Sequence, residues 1–332
     1  MHPSTLTRHL LIWYHANKRE MPWRGHPDPY AVWVSEIMLQ QTQVATVMPY
    51  FERFMKLFPS VHALARADEE RVLGAWQGLG YYTRGRNLHS AARIVVETHG
   101  GKIPRTAEAL RSLPGIGPYT AAAIASIAFG ERIPVIDGNV QRVVARMLRL
   151  DADIASSKAM DAIAQWLAPM IAAADVPGDF NQAMMELGAL VCTPRDSQCT
   201  TCPWKRQCKA LQKNDVASYP KKAKAKTVPT RHRNVCIVER GGKILFVKNT
   251  GKRFLKGMWD LPECDGTAAT HLGTVKHTYS HFKLVQEVYT AKTLRRSGIL
   301  DLPNSCWLPL ATLSRHPLSQ APKLALNLRT SR

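Results

Sequence analysis

Acid is scarce in this chain. Its 332 residues hold 25 Asp+Glu against 45 Lys+Arg, a formal net charge of +20 at pH 7. Such an excess disfavours cationic partners and points to a polyanion, nucleic acid first. Long apolar runs are also missing. No window approaches the ~18 uninterrupted apolar residues of a membrane-spanning helix. The opening stretch MHPSTLTRHLLIWYHANKREMPWR has a short apolar segment and no small-residue cleavage site after it. It reads as an amphipathic helix, not a signal peptide. Cysteines suited to a disulfide framework are lacking. There are 7, an odd number, with Cys192, Cys199, Cys202 and Cys208 crowded together and Cys236, Cys264 and Cys306 scattered. That pattern fits a reducing compartment and a cofactor rather than a secreted scaffold. No internal repeat is apparent.

The length suggests two domains. Residues 1–215 read as mainly helical. Apolar, glycine-poor segments at 30–48, 120–129, 140–149 and 181–191 are separated by MPWRGHPDP, GLGYY, LPGIGPY and DVPGD. Residues 216–230, VASYPKKAKAKTVPT, have the composition of a basic linker. From 231 to 332 the pattern alternates and β-branched residues appear. NVCIVERGGKILFVKN suits a hairpin turning at Gly241-Gly242. HLGTVKHTY and FKLVQEVYTAKTL read as strands, and APKLALNLR as a short helix. Residues 221–332 carry 21 Lys/Arg against 6 Asp/Glu, most of the chain's positive excess. The expected architecture is multidomain: a mainly α region followed by a smaller α+β domain.

Three features carry chemistry. The first is Cys192-x6-Cys199-x2-Cys202-x5-Cys208, a spacing in which four thiolates can surround one metal centre, either zinc or a [4Fe–4S] cluster. Arg195, Lys205, Arg206 and Lys209 interleave these cysteines, so the loop could present positive charge to a phosphate backbone. The second is LPGIGPYTAA, a turn running into a helix. Gly115 and Gly117 permit positive φ and close backbone approach, and the helix N-terminus beyond them can accept a phosphate. The third is a pair of carboxyl groups. Asp137 stands where a helix N-cap belongs, which favours its ionised form. Glu36 lies among Trp33, Ile37 and Leu39, surroundings that would keep it protonated near neutrality. One acid and one carboxylate in opposed environments suit glycosidic cleavage. Glu36 would protonate a leaving base, and Asp137 would stabilise an oxocarbenium-like sugar.

The cysteine spacing resembles the iron–sulfur loop of the endonuclease III and MutY superfamily of DNA glycosylases, which favours [4Fe–4S] over zinc. With MPWR, DPYAVWVSEIMLQQTQV, GLGYYTRGRNL, LPGIGPYTAAAI, IDGNVQRV and FNQAMMELGALVC, residues 13–208 look like the MutY family of adenine DNA glycosylases almost continuously. The resemblance implies a six-helix barrel with a helix-hairpin-helix and an iron–sulfur module. It implies removal of adenine mispaired with 8-oxoguanine or guanine in double-stranded DNA, by a monomer in the bacterial cytoplasm, at the nucleoid. Glu36 matches the general acid and Asp137 the stabilising carboxylate, with Asn139 and Tyr119 assisting. Trp23, Arg24, Leu39 and Gln182 match the pocket for the flipped adenine. Gln41 and Tyr81 match the wedge that enters the helix, and Thr42 a contact to 8-oxoguanine. A base cannot be attacked inside a duplex, so it must leave the stack, and such side chains can refill the gap.

GGKILFVKNTGKRFLKGMWDLPE resembles a Nudix-like domain. Gly257 and Glu263 fit the opening of the Nudix box, but His271 and Leu272 stand where Arg-Glu should follow. The domain is therefore expected not to hydrolyse nucleotides, and the MutY resemblance implies that it recognises 8-oxoguanine. Tyr279-Ser280-His281 match the stretch that makes this contact, with tyrosine where phenylalanine is common. A bifunctional lyase of the endonuclease III type would need a lysine where Tyr119 stands. A non-enzymatic iron–sulfur DNA-binding protein would give Glu36 and Asp137 no special role.

Overall fold

The computed structural model describes residues 2–25, 28–223, 228–251, 255–266, 269–279, 281–291 and 303–329. The chain divides into two compact units, Met1–Arg66 with Asn87–Lys224, and Ala67–Arg86 with Ala225–Arg332.

The first unit is helical. It contains α1 (Pro3–Asn17), α2 (Pro29–Leu39), α3 (Val44–Leu57) and α4 (Val61–Arg66). After the excursion into the other unit come most of α6 (Thr83–His99), α7 (Ala107–Leu110), α8 (Pro118–Phe129), α9 (Gly138–Leu148), α10 (Ser157–Ala172), α11 (Pro177–Leu190) and α12 (Lys209–Gln212). Proline opens α2, α8 and α11 at a position where its missing N–H costs nothing. Side-chain caps secure other starts: Asp28 accepts from the Tyr30 N–H, Asp137 from Val140 and Ser156 from Ala159. Residues Tyr30 to Met38 are all buried, so α2 is a core helix, packed against α3 and α8. Leu10 and Tyr14 of α1 join Val140, Val144, Ile163, Leu167, Phe180, Leu187 and Trp204 in a second core.

Segment 30–48 is not one helix. It breaks between α2 and α3, where Gln41 adopts φ +58°. No glycine or proline marks this break, so periodicity runs straight across it.

The second unit is α+β. Strands β1 (Thr230–Arg240), β2 (Lys243–Lys248), β3 (Trp259–Asp260), β4 (Thr270–Thr278), β5 (Lys283–Ala291) and β6 (Ser305–Pro309) form one sheet in the order β3-β2-β1-β5-β4, with β6 also on β2. β1 runs parallel to β5, and β4 antiparallel to β5. The β1–β2 hairpin turns at Gly241 and Gly242, whose φ values of +55° and +70° suit glycine. Helix α13 (Gln320–Asn327) packs on β4. Helix α5 (Glu69–Ala75) and the loop after it belong to this unit through side-chain bonds: Gln77 donates to the His316 carbonyl at 3.1 Å and Tyr82 to the Leu318 carbonyl at 3.3 Å.

Candidate active site

A cavity of about 500 Å³ opens in the first unit. α2 supplies Glu36 and Leu39, the first turn of α8 supplies Tyr119, and the start of α9 supplies Asp137 and Asn139. Gln182, Met185 and Glu186 enter from α11, Arg19, Trp23 and Arg24 from the connection before α2, and Thr42 from the α2–α3 break. Nine residues matched from sequence thus share one wall: Trp23, Arg24, Glu36, Leu39, Thr42, Tyr119, Asp137, Asn139 and Gln182. Thr42 lies with the acid rather than apart from it.

Glu36 is only 5 % exposed. Burial pushes its carboxyl up to about 7, the Tyr119 hydroxyl opposes this, Asp137 adds to it and Arg24 opposes it. Tyr119 donates to Glu36 Oε2 at 2.9 Å, and burial holds the phenol in its protonated form. Asp137 accepts from the Val140 N–H at 2.7 Å and from Asn139 Nδ2 at 2.9 Å. The cap alone predicts a lowered pKa for Asp137. Burial outweighs it, and the carboxyl lies above its usual range despite those donors and Arg142.

Glu186 was not legible as a site residue. Its side chain is 2 % exposed and accepts from Arg19 Nε at 2.8 Å, Arg19 Nη2 at 2.9 Å, the Arg19 N–H at 2.9 Å and Arg24 Nη2 at 3.2 Å. Burial works against its ionisation, but these donors hold it at about 2. Arg24 also donates to Gln182 Oε1 at 3.2 Å and to the Arg19 carbonyl at 2.7 Å. Glu186 therefore fixes the guanidinium that orients Gln182, leaving the amide NH2 of Gln182 as the donor for a ligand. A signal did exist. Glu186 is an acid four residues after Gln182 in an apolar helix, which puts both on one face. Arg19 and Met185 gave none.

The network extends to the cysteines. Arg142 donates to Asn139 Oδ1 at 2.8 Å, the Gly188 carbonyl at 2.7 Å and the Cys192 carbonyl at 2.7 Å. Asp137 is thus joined to the cysteine loop through two side chains. Arg146, 2 % exposed, donates to the Thr193 carbonyl at 2.7 Å, Ser197 Oγ at 2.9 Å and Cys192 Sγ at 3.3 Å. Cys192, Cys199, Cys202 and Cys208 line one small apolar cavity beside Trp204, whose indole donates to the Leu6 carbonyl at 2.9 Å. Among the described residues no three ligating side chains converge as a ready single-ion site. The cysteines instead surround a space. Burial raises the thiol pKa values of Cys199, Cys202 and Cys208, that of Cys202 to about 12, and neighbouring cysteines raise them further. Four cysteines around one apolar space fit a metal centre held by thiolates, whose cation would offset the cost of burying their charge.

The hairpin before α8 takes φ +79° at Gly115, where a Cβ would stand 2.6 Å from Asn87 Cβ. Gly117 does not need positive φ. It is the N-cap of α8 at φ −85°, with open space where a Cβ would be. Its use is access for a ligand to the helix N-terminus, not backbone strain. Gln41 does not line the acid's cavity. Tyr81, Tyr279 and His281 line a different cavity of about 560 Å³ within the second unit, together with His277 and Arg86. Burial raises the Tyr279 phenol, and the Ser319 hydroxyl beside it works the other way. Ser280 lies outside the described residues.

Residues 34–169 match the model of the HhH-GPD superfamily of base excision DNA repair proteins. The adenine DNA glycosylase of Homo sapiens is 37 % identical over 379 aligned positions, covering 90 % of this chain and 69 % of that protein. The chain belongs to the adenine DNA glycosylase family. Another member, from Buchnera aphidicola subsp. Schizaphis graminum, is 32 % identical over 83 % of this chain and 84 % of its own. Among solved structures, a thermostable thymine-DNA glycosylase aligns with a TM-score of 0.56 at 26 % identity, covering 64 % of this chain and 97 % of that one. A trapped endonuclease III–DNA covalent intermediate aligns with a TM-score of 0.53 at 21 % identity, a likeness of fold alone, over 63 % of this chain and 94 % of that one. Among the described residues no helix is long and apolar enough to cross a membrane.

Proposed function

We propose that this adenine DNA glycosylase hydrolyses the N-glycosidic bond of adenine mispaired with 8-oxoguanine or guanine in duplex DNA and does not cut the strand. One observation carries the reading: a buried acid with a pKa of about 7 shares a cavity with a second, capped carboxyl group. The adenine leaves the duplex and enters this cavity, at a cost of a few kcal/mol in lost stacking and pairing. Trp23 and Leu39 offer apolar walls, and Gln182 and Arg24 offer donors. Glu36 gives its proton to adenine N7. The C1′–N9 bond then breaks with its electron pair leaving on the base. Asp137 stabilises the sugar cation, with Asn139 steadying the carboxylate and Tyr119 the acid. A water adds to C1′ and returns its proton to Glu36. No lysine is among the residues lining the cavity, so no amine stands ready to attack the sugar.

In this reading Cys192, Cys199, Cys202 and Cys208 would hold a [4Fe–4S] cluster, which would supply structural order to a loop whose positive charge comes from Arg195, Lys205, Arg206 and Lys209. The hairpin at Gly115 and Gly117 grips a phosphate. Gln41 and Tyr81 fill the gap left by the base. Thr42, Tyr279, Ser280 and His281 read the opposing 8-oxoguanine. The positive excess of residues 221–332 supports phosphate contacts with DNA, made in this reading by a monomer.

The test is release of free adenine from an A:8-oxoguanine duplex in single turnover, with strand breaks scored before and after alkali. Breaks only after alkali, lost in Asp137→Asn while duplex binding persists, support the reading. Breaks without alkali, or near-normal rates in Asp137→Asn, overturn it.

A further inference from the structure

Tyr81 combines two unusual features. It is 48 % exposed, which few large hydrophobic side chains of the described residues are, and its φ is +48°. An aromatic residue pays for that backbone conformation with strain, which persists only where the surroundings over-determine it. They do so here. Gly78 and Gly80 take φ +99° and +76° on either side of Leu79. The buried Trp76 indole donates to the Gly80 carbonyl at 3.1 Å, and the Tyr82 hydroxyl accepts from the Gly78 N–H at 3.3 Å.

Arg84 closes the structure from below. It is 9 % exposed, and its Nη2 donates to the carbonyls of Leu79 at 3.3 Å and Gly80 at 3.2 Å. Its guanidinium carbon lies over the Tyr81 ring, 5.2 Å from the centroid, and over Trp76 at 5.6 Å. Its own N–H donates to the Tyr81 carbonyl at 2.8 Å. Burial lowers its pKa to about 10, so the guanidinium stays charged at neutral pH while being partly stripped of water. Such a group is retained against its desolvation cost for what it holds. One charged group thus ties two carbonyls of the loop to the faces of two rings.

We propose that Arg84 is a positioning residue that holds Tyr81 in its strained, outward conformation, so that the ring is ready to enter the duplex before DNA arrives. This rests on the reading of Tyr81 as a wedge. A pre-set wedge lowers the cost of extruding the base because no loop need be ordered at that moment.

The experiment follows extrusion directly, by the fluorescence of 2-aminopurine beside the target adenine, together with single-turnover adenine release. Arg84→Met should lower both by on the order of tenfold, the scale at which one strained residue is stored. Arg84→Lys should recover little, because a compact ammonium cannot reach both carbonyls and lie over both rings at once. In a Tyr81→Ala background, Arg84→Met should add no further loss, since Arg84 acts through the ring. The pH at which the rate falls should not move, because Glu36 is untouched. Additive losses in the double variant, or full extrusion in both Arg84 variants, overturn the proposal. If Arg84→Met does not fold, Arg84→Lys carries the test, and normal extrusion in that variant counts against the guanidinium as the holding group. Absence of adenine release by the unmodified protein would overturn the functional reading instead, and the two failures are therefore distinguishable.

Discussion

Glu36 sets a pH limit that can be calculated from its surroundings. Burial, opposed by Tyr119 and Arg24 and reinforced by Asp137, lifts its pKa from 4.5 to about 7. An ordinary glutamic acid would be protonated in only ~0.3 % of molecules at pH 7, whereas Glu36 is protonated in about half. The difference corresponds to about 3 kcal/mol in favour of the acid form. The rate of base release should therefore fall through pH 7 and drop about tenfold per unit beyond it. At pH 9 about 1 % of the maximal rate should remain. Single-turnover release of adenine, measured from pH 5 to 9, checks this. Tyr119→Phe removes a donor that favours the carboxylate, so the inflection should move to higher pH even as the maximal rate falls. The same shift has a stability consequence. A carboxyl whose folded pKa is raised destabilises the fold as pH rises from about 4.5 to about 7, and the loss persists above that. Glu36→Gln should accordingly be inactive yet more stable than the unmodified protein at pH 8, by up to about 3 kcal/mol, with no gain near pH 4. A rate independent of pH up to 9, or an inflection near 4.5, would refute the assignment of Glu36 as the acid.

Glu186→Gln leaves two guanidinium groups beside the cavity without their carboxylate. Stability at pH 7 should fall by about 3 kcal/mol, and the gap should close as pH drops below 4.5 toward 2, where the glutamate itself is protonated; urea unfolding at several pH values measures it. The uncompensated Arg24 should also move the Glu36 inflection to lower pH, and an unmoved inflection would count against the clamp. In Gly188→Ala the new Cβ would stand 2.5 Å from Asn139 Cβ and 3.0 Å from its Cα, so Asn139 must shift off Asp137; base release should fall at least about tenfold with duplex binding kept, and near-normal single-turnover rates would refute this coupling. Tyr279→Ala should weaken the preference for A:8-oxoguanine over A:G while leaving the A:G rate within about twofold, and equal loss on both substrates would count against a reading role for the second unit.

What could be read in the sequence was whatever is local. Asp137 announces a cap because the donors it satisfies lie two and three residues away. Gly241-Gly242 announces a hairpin because the turn needs positive φ at two adjacent residues. The hidden parts depend on distance along the chain. The Arg19–Glu186 pair spans 167 residues, and no periodicity relates its members. The break at Gln41 is hidden for another reason: a glutamine takes left-handed backbone there with no glycine to mark it. Tyr81 takes the same backbone, although GLGYY does mark a turn there. Both residues matched to the duplex wedge are non-glycine residues at positive φ, one in each unit. Propensity reads both stretches wrongly because strain is held by the fold around them, and a residue that local rules misplace in this way is where function is to be sought. The segment 67–86 makes the same point at larger scale. Composition assigns it to the helical region, yet its side chains bond to the sheet unit through His316 and Leu318. Cutting the chain at the basic linker would therefore remove the support of the Tyr81 loop as well as Tyr279, so a truncation cannot separate wedge from lesion reading. Only point substitutions on each side can do that.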